Sequence, residues 1–196
     1  MSDELYDAVA GAGKGGDGLL TILKTLAYAG MAKGLKVAYS SNYNPETRGG
    51  LVEGCTILSK EDALSPVVDS YTTVLAFDNQ ALDTYMPLLE PGGLLIWNSS
   101  VVRDRSPRPD VRSVAIPASD LAVARGVPKF GNMIVLGAFA RLTGYFSVDE
   151  LIRGMELYLP VWRHKLIPIN RQVLGGVLAC DMSELTGPPA RASFSS

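Results

Sequence analysis

Leu5-Tyr6-Asp7-Ala8-Val9-Ala10-Gly11-Ala12-Gly13-Lys14-Gly15-Gly16-Asp17-Gly18, with the run from Leu19 to Tyr39 that follows it, decides the fold. The apolar stretch from Leu5 to Ala10 has the length of a buried strand, and it ends in a loop of glycines. Leu19, Leu20, Ile22, Leu23, Leu26 and Ala27 then recur at helical spacing. Gly34 closes that helix, and Lys36-Val37-Ala38-Tyr39 reads as a second strand. Strand, glycine loop, helix and strand make one βαβ unit.

Outward from this unit the chain keeps alternating. Leu51 to Ser59 reads as a strand entered through the polar loop from Ser40 to Gly50. Thr72 to Phe77 is a continuous apolar strand that ends at Asp78. Ala81 to Leu89 is a short helix, Pro91-Gly92-Gly93 turns the chain, and Leu94 to Trp97 is a strand that ends at Asn98-Ser99-Ser100. Arg103 to Pro109 is charged and proline-rich, as in an exposed loop. Val111 to Ile116 predicts a strand, and Ser119 caps a helix reaching Ala124. The rest is helical: Asn132 to Leu142, Ser147 to Leu159 opening with the capping box Ser147…Glu150, and Pro168 to about Met182. Short apolar strands between helices predict an α/β fold, a single Rossmann-like domain over residues 1–186. Its mostly parallel sheet is flanked by helices on both faces, and its C-terminal third is helical. Residues 187–196 read as a flexible tail. There is no internal repeat and no sign of a second domain.

Composition narrows the function. A chain of 196 residues buries roughly 70% of its unfolded surface and needs no staples. Its 47% hydrophobic content fits a subunit that buries surface against partners. The net charge is −2, with no basic stripe for nucleic acid. No apolar run is long enough for a transmembrane helix. Met1-Ser2-Asp3-Glu4 is unlike the basic start of a secretory leader, so a cytoplasmic protein is expected. Cys55 and Cys180 are the only cysteines and His164 the only histidine. An iron–sulfur cluster needs four thiolates and zinc a comparable ligand set, so no metal site is expected in this chain. Both thiols read as buried and reduced.

The glycine loop is the first candidate site: Gly13, Gly15, Gly16, Asp17 and Gly18. Glycines let a ligand approach the backbone, and amides at a helix N-terminus favour an anion. A tight strand-to-helix turn without a ligand is the plain alternative. Lys14 is followed by Gly15 rather than Ser or Thr, so the phosphate loop of nucleotide hydrolases is not met. Gly13, Gly15 and Gly18 satisfy the dinucleotide spacing G-x-G-x-x-G, but the second strand runs into Ser40-Ser41-Asn42 with no carboxylate for a ribose. Gly16-Asp17-Gly18 with Asn44 comes near a thiamine motif, yet the paired asparagine is missing.

The second site is Tyr43-Asn44-Pro45-Glu46-Thr47-Arg48-Gly49-Gly50, followed by the strand Leu51 to Ser59. It resembles the Y-G-P-E-x-R-G-G loop of the γ subunits of 2-oxoacid:ferredoxin (acceptor) oxidoreductases. Asp17 stands where those subunits carry glutamine, and Asn44 replaces a glycine. The likeness continues through Leu89-x-Pro91-Gly92-Gly93-Leu94-Leu95-Ile96, Ile116-Pro117-Ala118 and Asn132-Met133-x-x-Leu136-Gly137-Ala138, spanning residues 8 to about 176. The resemblance implies a subunit of a complex that oxidatively decarboxylates a 2-oxoacid to acyl-CoA. Thiamine pyrophosphate, Mg and [4Fe-4S] clusters would lie in partner α, β and ferredoxin-like δ subunits, and ferredoxin or another acceptor would take the electrons. This chain alone would be inactive, with no catalytic residue, and would contribute assembly and coenzyme A binding. Gly13, Gly15, Gly16, Asp17 and Gly18, with Tyr43, Arg48, Gly49 and Gly50, would then face one ligand crevice. Pro45-Glu46 favours the pyruvate, 2-oxoglutarate, 2-oxoisovalerate or phenylglyoxylate branch over the β subunit of an indolepyruvate oxidoreductase. A stand-alone NAD(P)-binding protein and an empty scaffold subunit remain the other readings.

Overall fold

The computed structural model describes residues 5–42, 51–61, 65, 68–103 and 108–186. Six strands form one sheet: β1 (Tyr6–Lys14), β2 (Lys36–Asn42), β3 (Leu51–Ser59), β4 (Tyr71–Ala76), β5 (Leu89–Asn98) and β6 (Arg112–Ile116). Their order is β2-β3-β1-β4-β5-β6. Only β3 runs against the others, antiparallel to both β1 and β2, while β1, β4, β5 and β6 are mutually parallel. The mostly parallel α/β sheet expected from the alternation is therefore present.

Successive side chains of a strand point to opposite faces, so neighbours in sequence serve different cores. Val9, Leu75 and Ile96 pack into the large core, and Ala10, Val74 and Leu95 into the small one. The large core is closed by helices α1 (Leu19–Ala32), α3 (Ala118–Ala124), α4 (Gly131–Thr143), α5 (Val148–Tyr158), α6 (Ile167–Ala179) and α7 (Met182–Thr186). Leu19, Ile22, Leu23 and Leu26 of α1 are at most 2% exposed, an apolar stripe at helical spacing. Helix α5 lies directly on α1 because Gly154 presents no side chain. A Cβ there would stand 2.7 Å from the amide nitrogen of Ala29 and 2.8 Å from the carbonyl oxygen of Thr25. Ser147 caps α5 through the complete capping box with Glu150.

The two faces are unequal, which the sequence did not anticipate. Only the short α2 (Asn79–Tyr85), followed by a 3-10 turn at Met86–Leu88, packs against the small core. Asp78 caps α2 by accepting a hydrogen bond from the Ala81 amide at 2.8 Å. Ser119 is not the cap of α3. Pro117 occupies that position with no side-chain cap, and the Ser119 hydroxyl accepts a hydrogen bond from Asn98 Nδ2 at 3.0 Å instead. Both cysteines are free thiols, but Cys180 is only half-buried, at the C-terminal end of α6. The proposed tail, residues 187–196, lies outside the described residues, as do Tyr43, Arg48, Gly49 and Gly50. No described helix is long and apolar enough to cross a membrane.

Candidate functional site

The loop Lys14–Gly18 joins the carboxyl end of β1 to α1 at the point where the chain's direction of winding changes. After β1 the chain moves to β2 and β3 on one side, and after β4 it moves to β5 and β6 on the other. Ligands of open α/β sheets sit at this kind of crevice. The residues on either side of 43–50, Asn42 and Leu51, belong to the same edge, and Leu51 is the cross-strand partner of Lys14.

The loop is braced from within. The Asp17 amide donates to the Lys14 carbonyl at 3.2 Å, and the Lys14 amide donates to Asp17 Oδ2 at 3.1 Å. Burial pushes the Asp17 carboxyl above its ordinary value. The Lys14 amide opposes that shift, and Asp78 adds to it. Asp17 is thus committed to closing the turn. Asp78 Oδ2 is buried with no hydrogen-bond partner among the described residues.

Two glycines set the loop's shape. Gly18 adopts φ 76° at the N-cap of α1, and a Cβ there would meet Asn132 Nδ2 at 2.4 Å. Asn132 Nδ2 donates to the Gly18 carbonyl at 3.4 Å, so the first turn of α4 is clamped to the start of α1. Gly13 lets β1 approach the end of β4, where a Cβ would stand 2.6 Å from Phe77 Cβ. With Gly18 as its N-cap, α1 has no side-chain cap and no acidic residue in its first turn. The Thr21 and Ile22 amides return to the Gly18 carbonyl. The Leu19 and Leu20 amides ahead of them carry the helix's partial positive charge, ready to receive an acceptor.

Two clefts flank the loop and share Gly16. One, of about 270 Å³, is lined by Asp17, Phe77, Asn98, Ser119, Lys129 and Asn132. The other, of about 340 Å³, is lined by Lys14, Gly15, Gly18, Val52 and Arg163. Arg163 comes from the 3-10 turn Val161–Leu166 between α5 and α6, and its guanidinium stacks 4.8 Å over the Trp162 ring. Gly15, Gly16, Asp17 and Gly18 therefore line these two clefts, while Gly13 lines neither and lies against Phe77. Lys129, Asn132 and Arg163 were missed as site residues in the sequence. Asn132 opens the N-M-x-x-L-G-A segment, a signal that could have found it. Arg163 gives none, since only the packing of α5 on α1 brings it near the loop. Among the described residues, no group of three or more His, Cys, Asp or Glu is placed to hold a metal ion.

A family model described as pyruvate ferredoxin/flavodoxin oxidoreductase matches residues 8–178. Among curated relatives, the ketoisovalerate oxidoreductase subunit VorA of Methanothermobacter marburgensis is 30% identical over 164 residues, which covers 83% of this chain and 34% of that one. This chain thus spans about a third of that relative's length. The 2-oxoglutarate synthase subunit KorC of the same organism is 32% identical over 156 residues, 76% of this chain and 84% of that one. Two solved structures share the fold. The γ subunit of a keto/oxoacid ferredoxin oxidoreductase from Geobacter sulfurreducens superimposes with a TM-score of 0.70 at 24% identity, over 89% of this chain and 97% of that one. The 2-oxoglutarate:ferredoxin oxidoreductase from Magnetococcus marinus, solved with 2-oxoglutarate, coenzyme A and succinyl-CoA bound, superimposes with a TM-score of 0.76 at 20% identity. That match covers 98% of this chain and 33% of the other.

Proposed function

The chain belongs to the pyruvate ferredoxin/flavodoxin oxidoreductase family, and on that premise we propose that it is the γ subunit of a 2-oxoacid:acceptor oxidoreductase and binds coenzyme A there. The observation that carries the coenzyme A reading is the crevice around Gly16. Unclaimed amides of α1 open on it, and Lys14, Lys129 and Arg163 line its two clefts. Backbone amides at a helix start together with three cations suit a pyrophosphate and a further phosphate. Gly13 and Gly18 shape the loop, Asp17 closes it, and Gly15 and Gly16 leave room for the ligand. Tyr43, Arg48, Gly49 and Gly50 belong to the same proposal as the second loop of the crevice.

Iron–sulfur chemistry does not fit this chain, whose two cysteines lie in β3 and at the end of α6. Thiamine does not fit either, because Gly16-Asp17-Gly18 and Asn44 lack the paired asparagine of a thiamine motif. We assign thiamine pyrophosphate, Mg and [4Fe-4S] clusters to partner α, β and δ chains, with ferredoxin or another carrier as acceptor. The 2-oxoacid also binds to those chains, and the setting is cytoplasmic.

Calorimetric titration of coenzyme A into the full chain, alone and in complex with its co-purifying subunits, tests the reading. Lys14→Ala, Arg163→Ala and Arg48→Ala should each weaken binding by about 10- to 100-fold, the effect of losing one charged contact of ~1.5–3 kcal/mol. Coenzyme A binding that none of the three variants alters would refute the site, and no binding at all would leave the chain as a scaffold subunit.

A further inference from the structure

A cleft of about 390 Å³ opens at the opposite, amino edge of the sheet, away from the glycine loop. It lies among the starts of β1, β4, β5 and β6 and the last turn of α4. Asp7 is part of its wall. This carboxylate is 3% exposed. Thr72 Oγ1 donates to Asp7 Oδ1 at 2.5 Å while itself accepting from the Ala8 amide at 2.8 Å, and Thr73 gives a second hydroxyl. Both partners are neutral. Arg112 is exposed on the rim and forms no ion pair with Asp7 or Glu90. A buried carboxylate with only hydroxyl partners carries a large desolvation cost, which a proton or a bound cation relieves.

Three further features of the cleft have the same sign. Helix α4 ends here at Thr143, with Gly144 in the left-handed region, so its terminal carbonyls add partial negative charge. Glu90 adds a second carboxylate at the rim, held by the Ser70 hydroxyl at 2.7 Å. Tyr6 and Tyr145 also line the cleft, and aromatic rings attract cations. We propose that this cleft binds an alkylammonium group, with Asp7 as its counter-ion and the α4 carboxyl end and the two tyrosines completing the site. The group is either a free amine or the lysine side chain of a partner subunit. The proposal does not depend on the coenzyme A reading, which concerns the other edge.

The probe is n-butylammonium chloride, titrated into the isotope-labelled full chain at constant chloride and followed by amide chemical shifts. Saturable shifts should centre on Asp7, Thr73 and Tyr145, and matched sodium chloride should not produce them. Asp7→Asn keeps the shape and the acceptor and should weaken binding by about tenfold or more. Glu90→Gln, on an exposed side chain that leaves the core intact, should weaken it by about two- to fivefold and decides the matter if Asp7→Asn does not fold. Non-saturating shifts, shifts that sodium reproduces, or affinity equal to wild type in the folded variants would overturn the proposal. Repeating the titration on the complex purified with its partner chains separates the two sources. Persistent binding identifies a free amine as the occupant. Binding lost on assembly identifies a partner lysine.

Discussion

Replacing Gly18 by alanine attacks the joint between the glycine loop and α4. Gly18 sits at φ 76°, where an L side chain costs roughly 1–2 kcal/mol. The new Cβ would also stand 2.4 Å from Asn132 Nδ2, 2.8 Å from Cγ and 3.2 Å from Cβ. The Asn132 amide can rotate away, but its hydrogen bond to the Gly18 carbonyl is then lost, at about 0.5–1.5 kcal/mol. The sum is about 2–3 kcal/mol, or roughly 5–10 °C in Tm for a chain of this size. Urea denaturation of Gly18→Ala, Asn132→Ala and the double variant measures it. Because Asn132→Ala removes the obstacle, the double variant should lose clearly less than the sum of the two singles, by about 1 kcal/mol of coupling. Strict additivity, or a Gly18→Ala variant as stable as wild type, would refute the clamp.

Two further outcomes follow from buried acids and thiols. Cys55 is pushed up to about 12 by burial, with Asp7 adding to the shift, against 9.0 for an ordinary thiol. It should resist alkylation in the folded chain near neutral pH while Cys180 reacts, and fast labelling of both thiols in native conditions would contradict the packing of β3. The Asp7 carboxyl is raised above 3.8, mainly by burial, so the folded chain binds its proton more tightly than the unfolded chain. The stability from that proton is fully present below the unfolded value and is lost as pH rises through the folded one. Urea midpoints from about pH 4 to 8 should therefore fall more for wild type than for Asp7→Asn, and parallel curves would remove Asp7 from the account.

Much of the fold was legible because local rules and the global arrangement agree. The helical spacing of Leu19 to Ala27, the capping box at Ser147 and the apolar runs Leu51 to Ser59 and Thr72 to Phe77 each had one reading. The failures have physical causes. Ser119 looked like a cap because the pattern of a helix start does not show that Asn98 competes for its hydroxyl across the sheet edge. The unequal faces were hidden because an apolar strand reads the same under one helix or six. Of the candidate site, the glycine loop was visible as a motif. Asn132 and Arg163 reach it only through α4 and through the turn after α5, contacts between segments far apart in the chain that periodicity does not record.

The central position of β1 has a consequence for how the chain comes to be folded. Its two neighbours in the sheet, β3 and β4, both lie later in the sequence. During synthesis the apolar segment from Ala8 to Ala12 therefore leaves the ribosome with no strand to join until residues 51–59 have followed it. At about 5–20 residues per second the wait is a few seconds. In that interval α1, which packs on the Val9 face, is its only native cover, so early closing of this helix over β1 would protect that face against aggregation. A change that slows α1, such as proline at Leu26 in its buried interior, should then reduce soluble yield in rapid expression more than it reduces the stability of chains that have already folded.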